Sequence, residues 1–117
     1  MSAAAAAPAP ALVALVTTVG SADDARRLAG AAIAQRLAAC VQIEAIESVY
    51  RWQGAVQHDV EWRLWFKTTV AALPALRAWL PTAHPYDLPA LFVIDLAAPS
   101  PAFADWVRAE SGRQASD

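Results

Sequence analysis

The stretch "CVQIEAIESVYRWQGAVQHDVEWRLWFKT", Cys40 to Thr68, decides the fold. Its first half sets apolar Val41, Ile43 and Ala45 against polar Gln42 and Glu44. That is the period of a strand with one buried face. Gln53–Gly54 then interrupts the run, and a glycine there admits the positive φ of a tight hairpin turn. The return, Ala55 to Thr68, alternates again, with Trp62, Leu64 and Phe66 on one face and Glu61, Arg63, Trp65 and Lys67 on the other. Two antiparallel strands in mid-chain follow. The alternation slips twice: at Ile46, after which Tyr50 and Trp52 hold the even positions, and near His58–Asp59. Such slips predict a bulge or bend in each strand.

Working outward, "ALVALVTTV" (11–19) is a short, continuous apolar run, as in a buried strand, and Gly20 ends it. Ser21 followed by Asp24 forms a capping pattern. Ala25, Leu28, Ala29, Ala32, Ile33 and Leu37 then make one helical stripe over 22–38. Beyond the hairpin, Thr69 is expected to cap a helix over 70–83 with Leu73, Leu76, Leu80 and Ala83 on one stripe. Pro74 is tolerable near its start, whereas Pro81 removes a donor and should loosen the last turn. "HPYDLP" (84–89) crosses to a strand, "ALFVIDL" (90–96). A last helix takes Ser100 as N-cap, Pro101 as its first residue, and Phe103, Trp106 and Val107 as its apolar face.

The order β-α-β-β-α-β-α predicts an α+β fold: a ferredoxin-like βαββαβ sandwich with an added C-terminal helix. Two helices should cover one face of the sheet and leave the other open. Tyr50, Trp52 and Trp65 are assigned to that exposed side, and apolar groups on an open sheet predict association. The domain is expected to span 11–110, between a disordered Ala/Pro tail (1–10) and a second disordered tail (111–117).

A chain of 117 residues is one domain by default. Five tryptophans within a 57% hydrophobic composition supply a core. A net charge of -2, without a basic face, argues against nucleic acid as a partner. No apolar run approaches the ~20 residues of a membrane span. The short apolar run near the start has no Lys or Arg before it, unlike a secretory leader. Cys40 is the single cysteine, so no intrachain disulfide forms, which fits a reducing compartment. A cytoplasmic protein is expected.

Four segments, "RLAACVQI" (36–43), "SVYRWQG" (48–54), "FKTT" (66–69) and "HPYDLP" (84–89), stand in an order and spacing that resembles the CutA family of divalent-cation-tolerance proteins. The resemblance covers about residues 12 to 108. It implies a tight homotrimer, similar in architecture to PII-type signalling proteins, in which the long hairpin reaches onto a neighbour. Tyr50, Trp52 and Trp65 would then lie at the interface. It also implies a link to divalent metals, copper above all, and brings no enzymatic reaction with it. The chain departs from the family pattern in three places, one of them the polar surface of the second helix, which is replaced by "AWLPTA" (78–83). The acids usual after the hairpin turn are thinned to "VQHDVEW", which weakens sequestration by carboxylates, and Pro81 interrupts the second helix.

Cys40 as thiolate suits Cu(I) or Zn(II), or is a small buried hydrophobe at a tight junction. His84 precedes Pro85 and is pushed off the helix; its ring is a metal ligand, or bonds carbonyls at a helix end. One cysteine and two histidines cannot close a four-ligand site in one chain. Copper or another divalent cation would therefore draw on several chains, and none is required for the fold. His58 and Asp59, next to Glu61, bind a cation loosely or are a solvated hairpin. Lys67, the only lysine, precedes Thr68–Thr69 and either holds a small anion beside the second helix or snorkels at the sheet rim. Tyr86 joins Lys67 and His84 if its loop folds back on the sheet.

These residues give a non-enzymatic homotrimer of divalent cation (copper) tolerance, with Cys40, His84, Lys67 and Tyr86 lining a small site. A PII-like trimeric sensor of a small anionic metabolite is the alternative, and a structural scaffold the next. Without an acid–base pair or a Gly-rich phosphate loop, an enzyme is the weakest reading.

Overall fold

Seven of the eight residues of β1 (Leu12–Val19) are buried, which demands cover on both faces and both edges of one strand. The computed structural model, which describes residues 11–112, provides it. The other elements are α1 (Ala22–Ala34), β2 (Cys40–Trp52), β3 (Ala55–Thr69), α2 (Leu73–Ala83), β4 (Phe92–Leu96) and α3 (Pro101–Glu110). The sheet order is β2-β3-β1-β4, with every neighbouring pair antiparallel. This is the expected ferredoxin-like arrangement with its added helix. Of the two tails expected to be disordered, 1–10 and 111–117, residues 1–10 and 113–117 lie outside the described residues.

On one face, Leu15, Val19, Leu64 and Phe66 meet Ala25, Leu28 and Ala32 of α1 and Leu76 and Leu80 of α2. The opposite face is not wholly open. α3 lays Ala104 and Val107 on Leu12, with Leu96 and Phe103 beside them. Trp106, expected on the apolar side of α3, is 46% exposed and stacks on Phe103 instead.

The register corrects the expected bulges. From Cys40↔Lys67 to Trp52↔Ala55 the β2–β3 ladder runs without a skipped residue. Gln53 and Gly54 close it with φ of 49° and 80°, the two positive values of a type I′ turn. β1 accompanies β3 only as far as Trp62. Residues 46–52 and 55–61 therefore continue beyond the sheet as a two-stranded ribbon. Its apolar residues face either way because no core of this chain fixes their side, and that is what the sequence showed as slipped phase.

Helix ends differ from the expected ones for local reasons. α1 stops at Ala34 rather than 38. Arg36 adopts φ 59°, while Arg36 N–H bonds Ile33 O and Leu37 N–H bonds Ala32 O, the pattern that closes a helix through a left-handed residue. The Arg36 guanidinium offsets that strain. Its Nε donates to Gly112 O and its NH2 to Ala109 O, both at 2.7 Å, and Gly112 N–H returns a bond to Arg36 O. The chain is thereby held to residue 112, two past the expected domain end. α2 begins at Leu73, not 70. Thr69 Oγ1 accepts from Ala72 N–H at 3.1 Å, so it caps the turn ahead of the helix. Despite Pro81 the helix persists to Ala83, and His84 N–H closes on Leu80 O at 2.9 Å.

Candidate functional site

Pro85 holds His84 extended at the end of α2 (φ −71°, ψ 137°), which turns the imidazole back onto β1. Nε2 lies 3.0 Å from both Thr17 Oγ1 and Thr18 O. Nδ1 accepts the Tyr86 N–H at 3.0 Å. A nitrogen that accepts carries no proton, so the neutral ring keeps its proton on Nε2, facing the two threonine oxygens. His84 is 8% exposed. Burial is the main cause that lowers its pKa, against the opposing pull of the Thr18 carbonyl. Arg27 of α1 donates to Ala83 O at 3.2 Å and ties down the residue before it.

The bond to His84 aims Tyr86 across the end of the sheet. Its hydroxyl donates to Glu61 Oε2 at 2.9 Å. Burial foremost, then Glu61, pushes the phenol pKa up. Gly20 makes the room: a Cβ there would stand 3.1 Å from the Tyr86 oxygen. Glu61 is the first residue of β3 beyond the β1 ladder, and it is only 9% exposed. Two positions further out, on the same strand face, Asp59 Oδ2 accepts from Tyr50 OH at 2.6 Å, which raises that phenol's pKa as well.

Between ribbon and loop lies a cleft of about 740 Å³, walled by Tyr50, Trp52, Glu61, Arg63, Tyr86 and Leu88. Beside it, Arg63 Nε and Trp65 Nε1 both donate to Glu44 Oε1 at 2.7 Å. Those two bonds, Arg63 first, hold the Glu44 carboxyl below its ordinary range. Arg63 also lies over the Trp65 ring, 5.5 Å from its centroid.

The residues expected to form one site divide into two groups. His84 and Tyr86 are together, ring centroids 5.1 Å apart, at the Val19 end of β1. Cys40 and Lys67 face each other across the β2–β3 ladder, level with Ala14 near the other end of β1. The Lys67 ammonium sits over Phe103 of α3, 5.9 Å from the ring centroid. Cys40 is half-buried and unpaired with another cysteine. His58 faces Glu47 at 3.8 Å, on the opposite ribbon face from Asp59 and Glu61, as consecutive strand residues must be. Among the described residues no three of His, Cys, Asp and Glu converge as a metal site would require. Tyr50 and Trp52 remain 40% and 46% exposed, and Trp65 is half-buried.

Sequence reasoning missed Glu61, Thr17 and Gly20 as parts of this site. Glu61 entered only as a polar strand position next to the loose His58–Asp59 pair, and Gly20 as the residue that ends β1. The one available signal was a glycine at a strand end in a fold that brings a Pro-flanked tyrosine back to it.

Residues 13–110 match the model of the CutA1 divalent ion tolerance protein family. The chain is 39% identical over 99 residues to the divalent-cation tolerance protein CutA of Thermus thermophilus, covering 84% of this chain and 96% of that one. It is 38% identical over 100 residues to the chloroplastic Protein CutA 1 of rice, covering 85% of this chain and 56% of the rice protein. Among solved structures, CutA from Synechococcus elongatus has a TM-score of 0.86 at 44% identity, over 91% of this chain and 95% of that one.

Proposed function

The chain belongs to the CutA1 divalent ion tolerance family, and we propose from that premise that it serves divalent-cation tolerance, copper foremost, as a non-enzymatic cytoplasmic homotrimer. The observation that carries this reading is the ribbon. Val49, Val56 and Val60 are 64%, 65% and 56% exposed on one face of it, and Tyr50 and Trp52 lie on the other. A two-stranded ribbon is marginal in water by itself, and β2 is an edge strand along its whole length. A second and third copy would pair that edge and cover those side chains. No helix among the described residues is long and apolar enough to cross a membrane.

Of the two metal ligands expected from the sequence, Cys40 is the one we retain. Its sulfur suits Cu(I), and its half-exposed position leaves it reachable. His84 has no lone pair to offer, because Nδ1 already accepts from Tyr86 and Nε2 holds the ring proton. With Cys40 and His84 at opposite ends of β1, the remaining ligands come from neighbouring copies. The anionic-metabolite reading loses support for a matching reason: Lys67 is drawn over Phe103 rather than left beside the start of α2.

Light scattering at micromolar concentration tests the assembly, with three chain masses expected; a monomer there overturns it. Anaerobic Cu(I) titration against a chromophoric competitor tests the metal. Cys40→Ala is expected to lose at least about tenfold in affinity, a difference of about 1.4 kcal/mol. Unchanged affinity would remove Cys40 as a ligand.

A further inference from the structure

His84 holds the loop 84–91 shut through an acceptor nitrogen, and the rest of its surroundings determine what happens if that nitrogen is taken. The Nδ1 bond to Tyr86 N–H reproduces, with a ring, the side-chain-to-i+2 turn that Asn and Asp make. Through it the Tyr86 backbone is fixed and the phenol reaches Glu61 at 2.9 Å. Tyr86 and Leu88 form the loop wall of the cleft. On the Nε2 side the ring faces only acceptors, Thr18 O and the Thr17 hydroxyl.

We propose that His84 is a proton-operated latch: neutral, it closes the Tyr86 wall of the cleft against Glu61, and protonated, it releases that wall. An imidazolium carries a proton on both nitrogens. The second proton would be placed on Nδ1, pointing at the Tyr86 N–H 3.0 Å away, so two donors would oppose each other with no acceptor between them. The bonds on the Nε2 side survive, since a charged ring donates there equally well. Protonation thus breaks one contact selectively, the one that positions Tyr86.

The charged groups around the ring do not provide an alternative partner. From α1, Asp24 favours the charged ring and Arg27 opposes it; Asp24 and Arg27 are themselves 3.4 Å apart, and Arg27 is bonded to Ala83 O. β1 presents the uncharged Thr17 and Thr18. Glu61 of β3 is occupied by the Tyr86 hydroxyl, and Asp87 follows on the loop itself. Burial remains the largest influence and keeps the ring neutral.

The sign follows directly. The folded state takes up a proton at His84 less readily than the unfolded chain, whose histidine has its ordinary value near 6.5. The closed loop is therefore at full strength above that value and is lost as pH falls through the lowered folded value.

In the full-length protein, NMR titration of the His84 ring is expected to give a value below the ordinary one near 6.5. The protection factor of the Tyr86 amide should fall by up to about tenfold per pH unit between the ordinary histidine value and the lowered value of His84, and level off below it. His84→Asn keeps an acceptor for the same N–H without a titrating group, so its loop should stay protected down to pH 5. His84→Ala should expose the Tyr86 amide at every pH. An Asn variant that opens with the wild-type pH dependence would overturn the proposal, as would a wild-type His84 that titrates while the Tyr86 amide stays protected. If His84→Ala fails to fold, the wild-type titration and the Asn variant still decide.

Discussion

The inner and outer halves of β3 belong to one unbroken ladder with β2 and meet different surroundings. From Trp62 to Lys67 the strand has β2 on one edge and β1 on the other, and Leu64 and Phe66 are fully buried. From Ala55 to Glu61 it has β2 alone, and Val56 and Val60 are more than half exposed. Backbone pairing therefore continues where burial stops. The inner half makes the fold of one chain, while the outer half presents β-branched side chains, beyond the reach of this chain's core, that another molecule could cover.

The sharpest way to break this contrast is at its inner end. Phe66→Ala leaves a cavity under both α1 and α2 and is expected to cost about 3–5 kcal/mol, read from denaturant midpoints; a loss below 1 kcal/mol would mean that this half is not the core. Trp52→Ala, at the outer end, should leave the far-UV circular dichroism of the chain intact and lower its mass in light scattering on dilution. Preserved assembly at nanomolar concentration would deny the ribbon its part in association. Arg36→Ala should cost about 1–3 kcal/mol through lost charged hydrogen bonds to α3. Arg36→Gly should recover part of that loss, because glycine adopts φ 59° without strain. The smallest effect belongs to Gly20→Ala, at the boundary where β3 leaves β1. The added methyl must displace the Tyr86 hydroxyl by a few tenths of an ångström, at about 1 kcal/mol, with a blue-shifted tyrosine absorbance as the phenol parts from Glu61.

The same contrast explains how much of the molecule was legible in its sequence. Every element was, because each is either half-buried with a clear period or bounded by a capping residue or a turn. Gln53–Gly54 identified the hairpin correctly. The bulges were misread because alternation reports burial, and the ribbon has none within one chain. The site was less legible still. Tyr86 and Glu61 lie 25 positions apart, His84 and Thr17 lie 67 apart, and only the strand order brings them together. Lys67 and Cys40 looked like companions of His84 by residue type, while the direction of β1 puts them at its other end. Trp106 was assigned inward on helical period alone, but α3 covers a sheet end too small to bury both it and Phe103.

The strand order also dictates a schedule for folding. β1 is one of the two interior strands, yet it leaves the ribosome before either of its partners. β2 and β3 can pair locally on a scale of about 1–10 μs once both exist, since their turn is two residues long. β1 has to wait for β3 to be made, roughly 3–10 s at ordinary elongation rates, and for β4 until residue 96 has emerged. During that interval the most apolar segment of the sheet has no edge to join. Slowing synthesis between residues 20 and 60 should therefore raise aggregation more than slowing it after β4.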